Sequence, residues 1–598
     1  MTKKIKPAID YTNKEFSTIK RDLVEYAKRY YPERFRDFSV NSFGSLMLDT
    51  VAYVGDMLSF YLDYQVNESN LSTALEYNNV LKLARQTGYS PELSPASYGM
   101  ITCFVLIPST NGAPNFDYAP TLKSGTRFKT GIGEIFTLLE DINFKNETEN
   151  EIVVGDVDRN TGTPLTYAIR ARGQAVSGEL AIARISVGEY SRFRKIDVPG
   201  ENITEIVSVS DSEGNFFYEV DYLTQNVIYL SFTNQGDDKK TVNNILKPVA
   251  VPRRYVVSKE RSRYQLQFGF GTGETAETLL DPSNVFLEQH GKEYITDNSF
   301  DPSTLLKTDS LGVCPSNTTM TIVYRINTTQ NTNAAANSIT KVVDPIYDFS
   351  AENTLNATLV KNVRDSLEVV NEEAFVGSVP LPTAEEIRMR ALGNFSMQNR
   401  MVTRGDFVAA AYNLPAKFGK LKRVAVHQDS DSFNQRNINM YVISEDSSGF
   451  LTKANGTIKN NLKTYLSRYK MINDSIDILD ATIINLKINF KISAAPDVNK
   501  FNALDIAKEA IVSYFAERAY YDIGEPFSIT DIFAVLKNTA SVLDVIEVDI
   551  ETRMGDEYAD TNFSTIASKS SDNTKIVCPV NSIFEIKYPN SDIIGTVV

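Results

Sequence analysis

The chain has 598 residues, of which 42% are hydrophobic and 23% charged, and its formal net charge is −14. This is the composition of a globular protein with roughly three to five domains. The acidic balance argues against a dominant nucleic-acid-binding role, because phosphate binding needs lysine and arginine clustered on one surface. A basic segment at residues 252–264 fits the exposed face of a strand or hairpin better than a phosphate contact.

Cysteine usage and the N-terminus indicate a reducing compartment. Cys103, Cys314 and Cys578 are odd in number and far apart, which predicts neither a disulfide framework nor a metal pair, and we expect them to be buried. The N-terminal segment lacks the apolar core of a signal peptide, and no stretch is long and apolar enough to span a bilayer. The sequence therefore predicts a cytoplasmic site of synthesis and no membrane partner.

Helical periodicity dominates residues 1–97. A capping-box pattern, TNKE at residues 12–15, precedes a helix that Pro32 ends. A second helix is predicted over about 42–65 and a third over about 73–87, ended by Gly88. Apolar residues at spacings of three and four predict a bundle-forming helical interface, made of Phe16, Ile19, Leu23, Tyr26, Tyr30, Leu46, Val54 and Leu58.

Glycines within the second predicted helix point the same way. Gly44 and Gly55 each cost about 1 kcal/mol relative to alanine inside a helix. We therefore expect close helix packing to compensate for them.

Residues 98–343 change to short β runs separated by turn clusters. The clearest runs are ITCFVLI, NVIYLSF, YQLQFGF and MTIVYRI, which predict a β-rich middle region, a sandwich or barrel with an insertion. Residues 344–420 are predicted as a mixed linker with capped helices, and Thr383 to Glu386 form a second capping box.

The remaining chain alternates helical and strand periods. Helices are predicted over 457–469, 502–519 and 529–538, and strands around residues 484–492 and 542–550. In the first strand the apolar residues point one way and Asn485, Lys487 and their alternates the other, which predicts a half-buried antiparallel strand.

The predicted fold class is therefore multidomain α+β, with a helical N-terminal region and a β-rich middle. Residues 421–553 are predicted as an α+β oligomerisation module with an antiparallel sheet, and 554–598 as a C-terminal β arm.

Catalytic patterns are absent from the sequence. His290 and His427 lie in neither a nucleophile elbow nor a zinc-binding helix motif. The glycines of QFGFGTGE (267–274) are not followed by the helix or the lysine that a phosphate-binding loop needs, so we predict a hairpin or bulge. Carboxylates are too numerous, at 75, for spacing to single out a glycosidase pair, which leaves that possibility open. We predict no enzyme, cofactor or metal site.

Several motifs occur in an informative order. AYVGDMLSFYLDYQVNESNLSTA (52–74) is followed by VLKLARQTGYSPELSPAS (80–97), and LKSGTRFKTGIGEIFTLLED (122–141) and QLQFGFGTGE come later. The segment 372–411 ends in an R-x-V-T-x-x-D turn that contains Arg400, Thr403 and Asp406. This series resembles the phage baseplate J-like family over nearly the whole chain. NTTQNTNAAAN (327–337) stands where many relatives have a glycine-rich loop, and the length is nearer that of the long wedge proteins of T-even-type contractile tails.

The resemblance implies a non-enzymatic structural protein of the baseplate wedge in the virion tail, assembled in the host cytoplasm. Such a protein self-associates as a homodimer and through ring contacts around the central hub. Its implied partners are other wedge subunits and a small lysozyme-like baseplate protein, and it relays the trigger for sheath contraction and genome delivery.

Two other functions stay open. A virion-associated glycan hydrolase would suit the β-rich middle, although the sequence has no fixed β-helix period. A receptor-binding tail protein is suggested by the tripeptide Arg404, Gly405 and Asp406. However, Thr403 precedes an apolar helical pattern and Asp406 would be its third residue, so we predict that the tripeptide is a capped helix start.

Overall fold

The computed structural model describes most of the chain. The described residues are 15–31, 33, 42–89, 95–148, 150–158, 162–233, 244–260, 263–272, 311–329, 331–350, 352–429, 436–496, 498–517, 521–555 and 557–598. Among the helices of these residues, none combines the length and the apolar character needed to cross a bilayer.

The N-terminal region contains three helices, as predicted. They are α1 Phe16–Tyr30, α2 Phe43–Glu68 and α3 Tyr77–Gln86. Ser42 caps α2, because its hydroxyl accepts a hydrogen bond from the Ser45 amide at 3.1 Å. The capping box expected for α1 depends on residues 12–14, which lie outside the described residues, and the N-cap of α1 is Glu15 without a side-chain bond.

Helix α3 is shorter at its start than predicted, because residues 69–73 form turns and α3 begins only at Tyr77. Its end follows the prediction. Gly88 has φ +87, its amide donates to Arg85 O, and the Tyr89 amide donates to Ala84 O. This pair of bonds is the Schellman motif, which satisfies the last carbonyls of the helix.

The middle region is built of strands. In chain order they are β1 Tyr98–Thr110, β2 Ala113–Pro114, β3 Thr121–Leu122, β4 Arg127–Thr130, β5 Ile135–Leu138, β6 Ile142–Asn143, β7 Glu151–Val154, β8 Thr166–Ser177, β9 Glu179–Val187, β10 Lys195–Val198, β11 Ile203–Ser210, β12 Phe216–Glu219, β13 Val227–Thr233, β14 Asn244–Ala250, β15 Arg254–Glu260, β16 Arg263–Phe268, β17 Thr318–Ile326, β18 Ile339–Asp344, β19 Tyr347–Asp348 and β20 Glu368–Val370.

Two larger sheets organise these strands. The first has the order β18-β4-β5-β8-β1-β2, with β7 on β8 and β20 on β1, and the second has the order β10-β16-β15-β12-β11-β17-β9. Strands β9 to β17 of the second sheet lie in the sequence between β8 and β18 of the first. Each sheet has its own hydrophobic cluster. The middle region is therefore β-rich, as predicted, and the second sheet occupies the position of an insertion in the first.

Three helices follow the middle region. They are α4 Ala357–Asp365, α5 Ala384–Met397 and α6 Arg404–Tyr412. The predicted capping box at the start of α5 is present: the Glu386 amide donates to Thr383 Oγ1, and the Thr383 amide donates to Glu386 Oε2. Helix α5 packs on α3 through a small buried cluster, made of Ala74, Val80, Ala84, Tyr89, Ile387 and Ala391.

The C-terminal region mixes helices and strands. Its helices are α7 Gly456–Leu466, α8 Lys500–Glu517, α9 Ile529–Lys537 and α10 Pro589–Asp592. Its strands are β21 Arg423–Gln428, β22 Asn437–Glu445, β23 Leu451–Thr452, β24 Ser475–Asp480, β25 Thr482–Ala494, β26 Phe527–Ser528, β27 Val542–Thr552, β28 Lys575–Ile576, β29 Ser582–Glu585 and β30 Ile593–Val597. The fold class, an α+β chain with these three kinds of region, is as predicted.

The C-terminal sheets contain the predicted antiparallel pairing and add parallel pairing to it. Strand β25 pairs antiparallel with β27, but parallel with β29 and β30. Strand β24 likewise pairs parallel with β22. The sequence reading of residues 554–598 as an arm missed this pairing, because the two last strands are short and find their partner about one hundred residues earlier.

Buried asparagine side chains join the middle and C-terminal regions. Asn333 Nδ2 donates to Ser378 O at 2.7 Å and to Glu445 O at 2.8 Å. Asn455 Nδ2 donates to Tyr98 O and to Ala374 O. Buried backbone carbonyls are removed from water and need hydrogen-bond partners within the protein. The two asparagine side-chain amides supply these hydrogen bonds and so connect the two regions.

Candidate assembly interface

Helix α2 carries small and acidic residues on the side that meets α1. A Cβ atom placed on Gly55 would lie 3.3 Å from Ile19 Cδ1, and Lys20 Nζ lies 2.6 Å from Asp49 Oδ1. Asp49, Ala52 and Gly55 recur at intervals of three, so they share this side of the helix. The absence of a side chain at Gly55 permits close packing of α1 on α2. This packing compensates for the free-energy cost of a glycine inside a helix.

The opposite side of α2 is apolar and exposed. Its large side chains have exposed fractions from 38% to 76%, and they are Phe43, Leu46, Met47, Val51, Tyr53, Val54, Met57, Leu58, Phe60 and Tyr61. We call these ten residues the α2 apolar face. The charged residues of α2 before Leu62 are Asp49 and Asp56, which lie on the α1 side. The α2 apolar face therefore has no charge of its own.

The spacing of this face is that of a helical bundle. Phe43, Leu46, Tyr53, Met57 and Phe60 fall on a row with alternating intervals of three and four once Thr50 is included. A second such row runs beside it, through Met47, Val51, Val54, Leu58 and Tyr61. One apolar row of this spacing packs against one partner helix. Two adjacent rows can therefore pack against two partner helices, one on each side of the face.

The structure divides the predicted interface residues between two environments. Ile19 and Leu23 are half-buried, and Ile19 packs on Gly55 within the chain. The exposed members are Phe16, Tyr26, Tyr30, Leu46, Val54 and Leu58. The sequence prediction named Leu46 from the first row and Val54 and Leu58 from the second. It missed the aromatic residues of the first row, Phe43, Tyr53 and Phe60, although the same three and four spacing marks them.

The C-terminal end of α2 is fixed to α3 by a buried carboxylate. Glu68 accepts hydrogen bonds from the Leu75 amide at 2.7 Å, the Glu76 amide at 3.3 Å and Asn79 Nδ2 at 2.9 Å. Burial acts to raise the pKa of Glu68, but these hydrogen bonds outweigh it and hold the pKa below its ordinary value. The ionised carboxylate thus serves as the cap at the start of α3.

Helix α5 is tied to the same corner and adds a second exposed apolar row. Arg388 Nε donates to Leu71 O at 3.0 Å, in the turn between α2 and α3, and a second guanidinium nitrogen donates to Ala74 O. Met389, Leu392 and Phe395 are each more than 60% exposed. The apolar surface of the helical region therefore includes α5 as well as α2.

The VTRGDF segment is a capped helix start. Thr403 is the N-cap of α6, and the carboxylate of Asp406 accepts hydrogen bonds from the Val402 and Thr403 amides. Asp406 is only 9% exposed, whereas Arg404 and Gly405 are exposed. The carboxylate is therefore turned into the protein and is not displayed to a receptor.

Just before this cap, the chain turns through two residues with left-handed backbone. Gln398 and Asn399 have φ of 48 and 58. Arg400 follows them with an exposed side chain, and its amide donates to Met397 O. Arg400 thus contributes to the turn through its backbone.

The glycines of the QFGFGTGE segment and His427, which the sequence analysis examined for catalysis or phosphate binding, have surroundings that explain them by packing. Gly269 packs on the backbone of Leu311 and Gly312, and Gly271 is bonded to the same segment, since the Gly271 amide donates to Gly312 O and the Cys314 amide to Gly271 O. His427 lies half-buried on β21, and burial lowers its pKa. His290 lies outside the described residues. Within the described residues no cluster of three metal-ligating side chains occurs.

The described part of the basic segment at 252–264 lies mostly in the antiparallel strands β15 and β16, as predicted, but one of its arginines is not on the exposed face. Arg254 is 2% exposed, and its guanidinium donates to Leu223 O at 2.7 Å and Val251 O at 2.9 Å. Burial lowers the pKa of Arg254 to about 10. This arginine therefore connects loops of the second sheet.

Residues 15–86 match the protein-family model described as "Bacteriophage baseplate protein, N-terminal domain". This match supports a phage baseplate protein. The matched residues contain α1, α2 and α3, and hence the whole α2 apolar face.

One solved structure with similarity to the chain is the cryo-EM structure of the anti-feeding prophage (AFP) baseplate, 6-fold symmetrised. The identity is 9%, and the alignment covers 95% of this chain and 90% of that chain with a TM-score of 0.28. No curated protein sequence matches the chain.

Proposed function

We propose that the protein is a wedge subunit of the baseplate in a contractile phage tail. In this role it self-associates into the ring around the central hub, binds other wedge subunits and a small lysozyme-like protein, and relays the trigger for sheath contraction. The observation that carries the proposal is the exposed, uncharged α2 apolar face inside the residues that match a baseplate domain.

The free energy of hydration favours covering this face. Fully burying one large apolar side chain contributes roughly 1.5–3 kcal/mol. Ten such side chains on one helix form a larger apolar surface than a soluble monomer ordinarily leaves in water. A second copy of the chain brings the same heptad rows, so helices from several copies can cover each other.

A continuous set of contacts supports the relay. Glu68 joins α2 to α3, and the buried cluster joins α3 to α5. At the N-terminus of α5, the Glu386 carboxylate lies 3.0 Å from the guanidinium group of Arg423 on β21. The same guanidinium group lies 3.0 Å from the Asp522 carboxylate. A displacement of α2 in the assembly would thus reach the C-terminal region through packed elements. The work would come from the difference in interface free energy between two assembled states.

The proposal is tested by the mass of the full chain in solution. We expect sedimentation velocity to show species larger than a monomer at micromolar concentration. Coexpression with the other wedge subunits should give a complex whose particles can be imaged. A chain that stays monomeric alone and also fails to bind coexpressed wedge subunits would contradict the proposal.

A further inference from the structure

Strand β9 forms one edge of the second sheet of the middle region. It pairs antiparallel with β17 along its whole length, from Glu179 opposite Ile326 to Val187 opposite Thr318. Among the described strands, none pairs with the other side of β9. Every second amide and carbonyl of a strand points away from its partner, so this edge offers unpaired backbone groups.

This edge has little of the usual protection against pairing. Natural edge strands are kept short or carry charges and prolines, whereas β9 has nine residues and no proline. Leu180 is 46% exposed and Ile182 is 64% exposed on its outer face. Its charges are Glu179, which pairs with Arg127 at 2.9 Å, and Arg184.

The inner face of β9 is also incompletely covered. Ala183 and Val187 are buried in the cluster of this sheet, but Ala181 and Ile185 are only partly buried. A strand added at the edge would therefore cover apolar groups on both faces at once.

We infer that β9 pairs antiparallel with β9 of a second copy of this chain, around a two-fold axis at Ala183. In this register Leu180 lies opposite Ser186, Ala181 opposite Ile185 and Ile182 opposite Arg184. No two like charges lie directly opposite each other. The aliphatic part of Arg184 covers Ile182, and the two Ile182 side chains, like the two Arg184 side chains, become diagonal neighbours on the outer face.

Neighbouring registers are less favourable for the same residues. An axis at Arg184 would place two guanidinium groups opposite each other, which destabilises a strand pair. An axis at Ile182 would place Ile185 opposite Glu179 and Ser186 opposite Gly178. Both of these partners lie before Leu180, where the exposed strand segment starts. The axis at Ala183 uses the whole segment from Leu180 to Ser186 and joins two seven-stranded sheets edge to edge.

This interface is independent of the α2 apolar face, and a cross-linking experiment on the full chain tests it. One preparation carries Ile182→Cys, a second carries Arg184→Cys, and the two are mixed under mild oxidation. The native cysteines give little background, because Cys103, Cys314 and Cys578 are buried. The matched control is Leu180→Cys oxidised by itself, since the two Leu180 side chains would lie at opposite ends of the paired segment.

We expect the mixture to form a covalent heterodimer and the Leu180→Cys control to remain uncross-linked. We also expect Ile182→Lys, added to the Arg184→Cys chain, to abolish its cross-link to the Ile182→Cys chain, because the new ammonium group would face Arg184 of that chain. The melting temperature should not fall, because residue 182 is exposed. Cross-linking no greater than in the control would overturn the inference. So would protection of the Ile182→Cys thiol from alkylation at all concentrations, which would show that another segment of the same chain covers the edge.

Discussion

Thr403 and Asp406 cap each other at the start of α6. The Asp406 amide donates to Thr403 Oγ1 at 3.3 Å, and the Thr403 amide donates to Asp406 Oδ2 at 2.8 Å. Such reciprocal bonding satisfies two backbone donors that a helix start leaves unpaired. The arrangement gives the tripeptide at 404–406 a structural purpose and leaves its carboxylate unavailable to an adhesion receptor.

Replacing the cap residue should lower stability. Thr403→Ala removes the hydroxyl that accepts from Asp406, and we expect a loss of about 1 kcal/mol in the free energy of unfolding. Thr403→Ser keeps the hydroxyl and is the matched control. Equal melting temperatures for wild type and Thr403→Ala would show that the Thr403 hydroxyl does not stabilise the start of α6.

The two charged residues of the tripeptide should behave differently. Asp406→Ala removes acceptors for the Val402 and Thr403 amides, so we expect it to destabilise the protein by about 1–2 kcal/mol. Arg404→Ala alters an exposed side chain and should change stability by less than about 0.5 kcal/mol. Binding to host cells that either substitution abolishes while the fold persists would instead favour a receptor-binding role.

The corner between α2 and α3 should depend on pH through Glu68. Its folded-state pKa is depressed, so its contribution is present above the unfolded-state pKa and is lost as the pH falls through the folded-state value. We expect Glu68→Gln to destabilise the protein by roughly 1–2 kcal/mol at neutral pH, by analogy with other helix caps. The difference from wild type should shrink in acid, where the wild-type carboxyl is also neutral.

Urea unfolding of both proteins at neutral pH and below the ordinary carboxyl pKa measures this difference. A gap between wild type and Glu68→Gln that is the same at both pH values would show that the charge of Glu68 does not cap α3.

The cysteines should be unreactive in the folded chain. Burial raises the pKa of the Cys103 thiol to about 12 and that of Cys578 to about 12, and the Cys314 Sγ donates to Ser191 O at 3.0 Å. The thiolate is the reactive form, so we expect no labelling by Ellman's reagent at mildly alkaline pH. All three thiols should react in urea. Rapid labelling of the native protein would contradict the burial described above.

Local patterns predicted local structure well. The helices of the N-terminal region, the cap of α5 at Thr383 and the glycine that ends α3 all follow from residues within one or two turns of each other. The burial of alternate residues in β25 also follows from its sequence, apart from Asn485, which is buried and bonded to Glu585.

Long-range pairing could not be read in this way. The parallel partners of β25 come from residues 582–597, and no local periodicity encodes which strand a short β segment will join. Arg254 is a similar case, because one of its two carbonyl acceptors, Leu223 O, is supplied by a loop that is distant in the sequence. The candidate interface was predicted in part, since spacing identifies an apolar row but does not tell whether the same chain covers it.

In the proposed ring, the α2 apolar face holds copies of the protein together. Sedimentation velocity of Val54→Glu/Leu58→Glu measures this contact, with Ile132→Glu, at another exposed apolar residue, as the control. All proteins carry Ile182→Lys, so that pairing through β9 does not contribute. Glutamate is a good helix former, so α2 should persist while two charges per copy enter the proposed contact. We predict that the control associates as its parent does and that the double variant is monomeric. Equal association of the double variant and its parent would contradict the account.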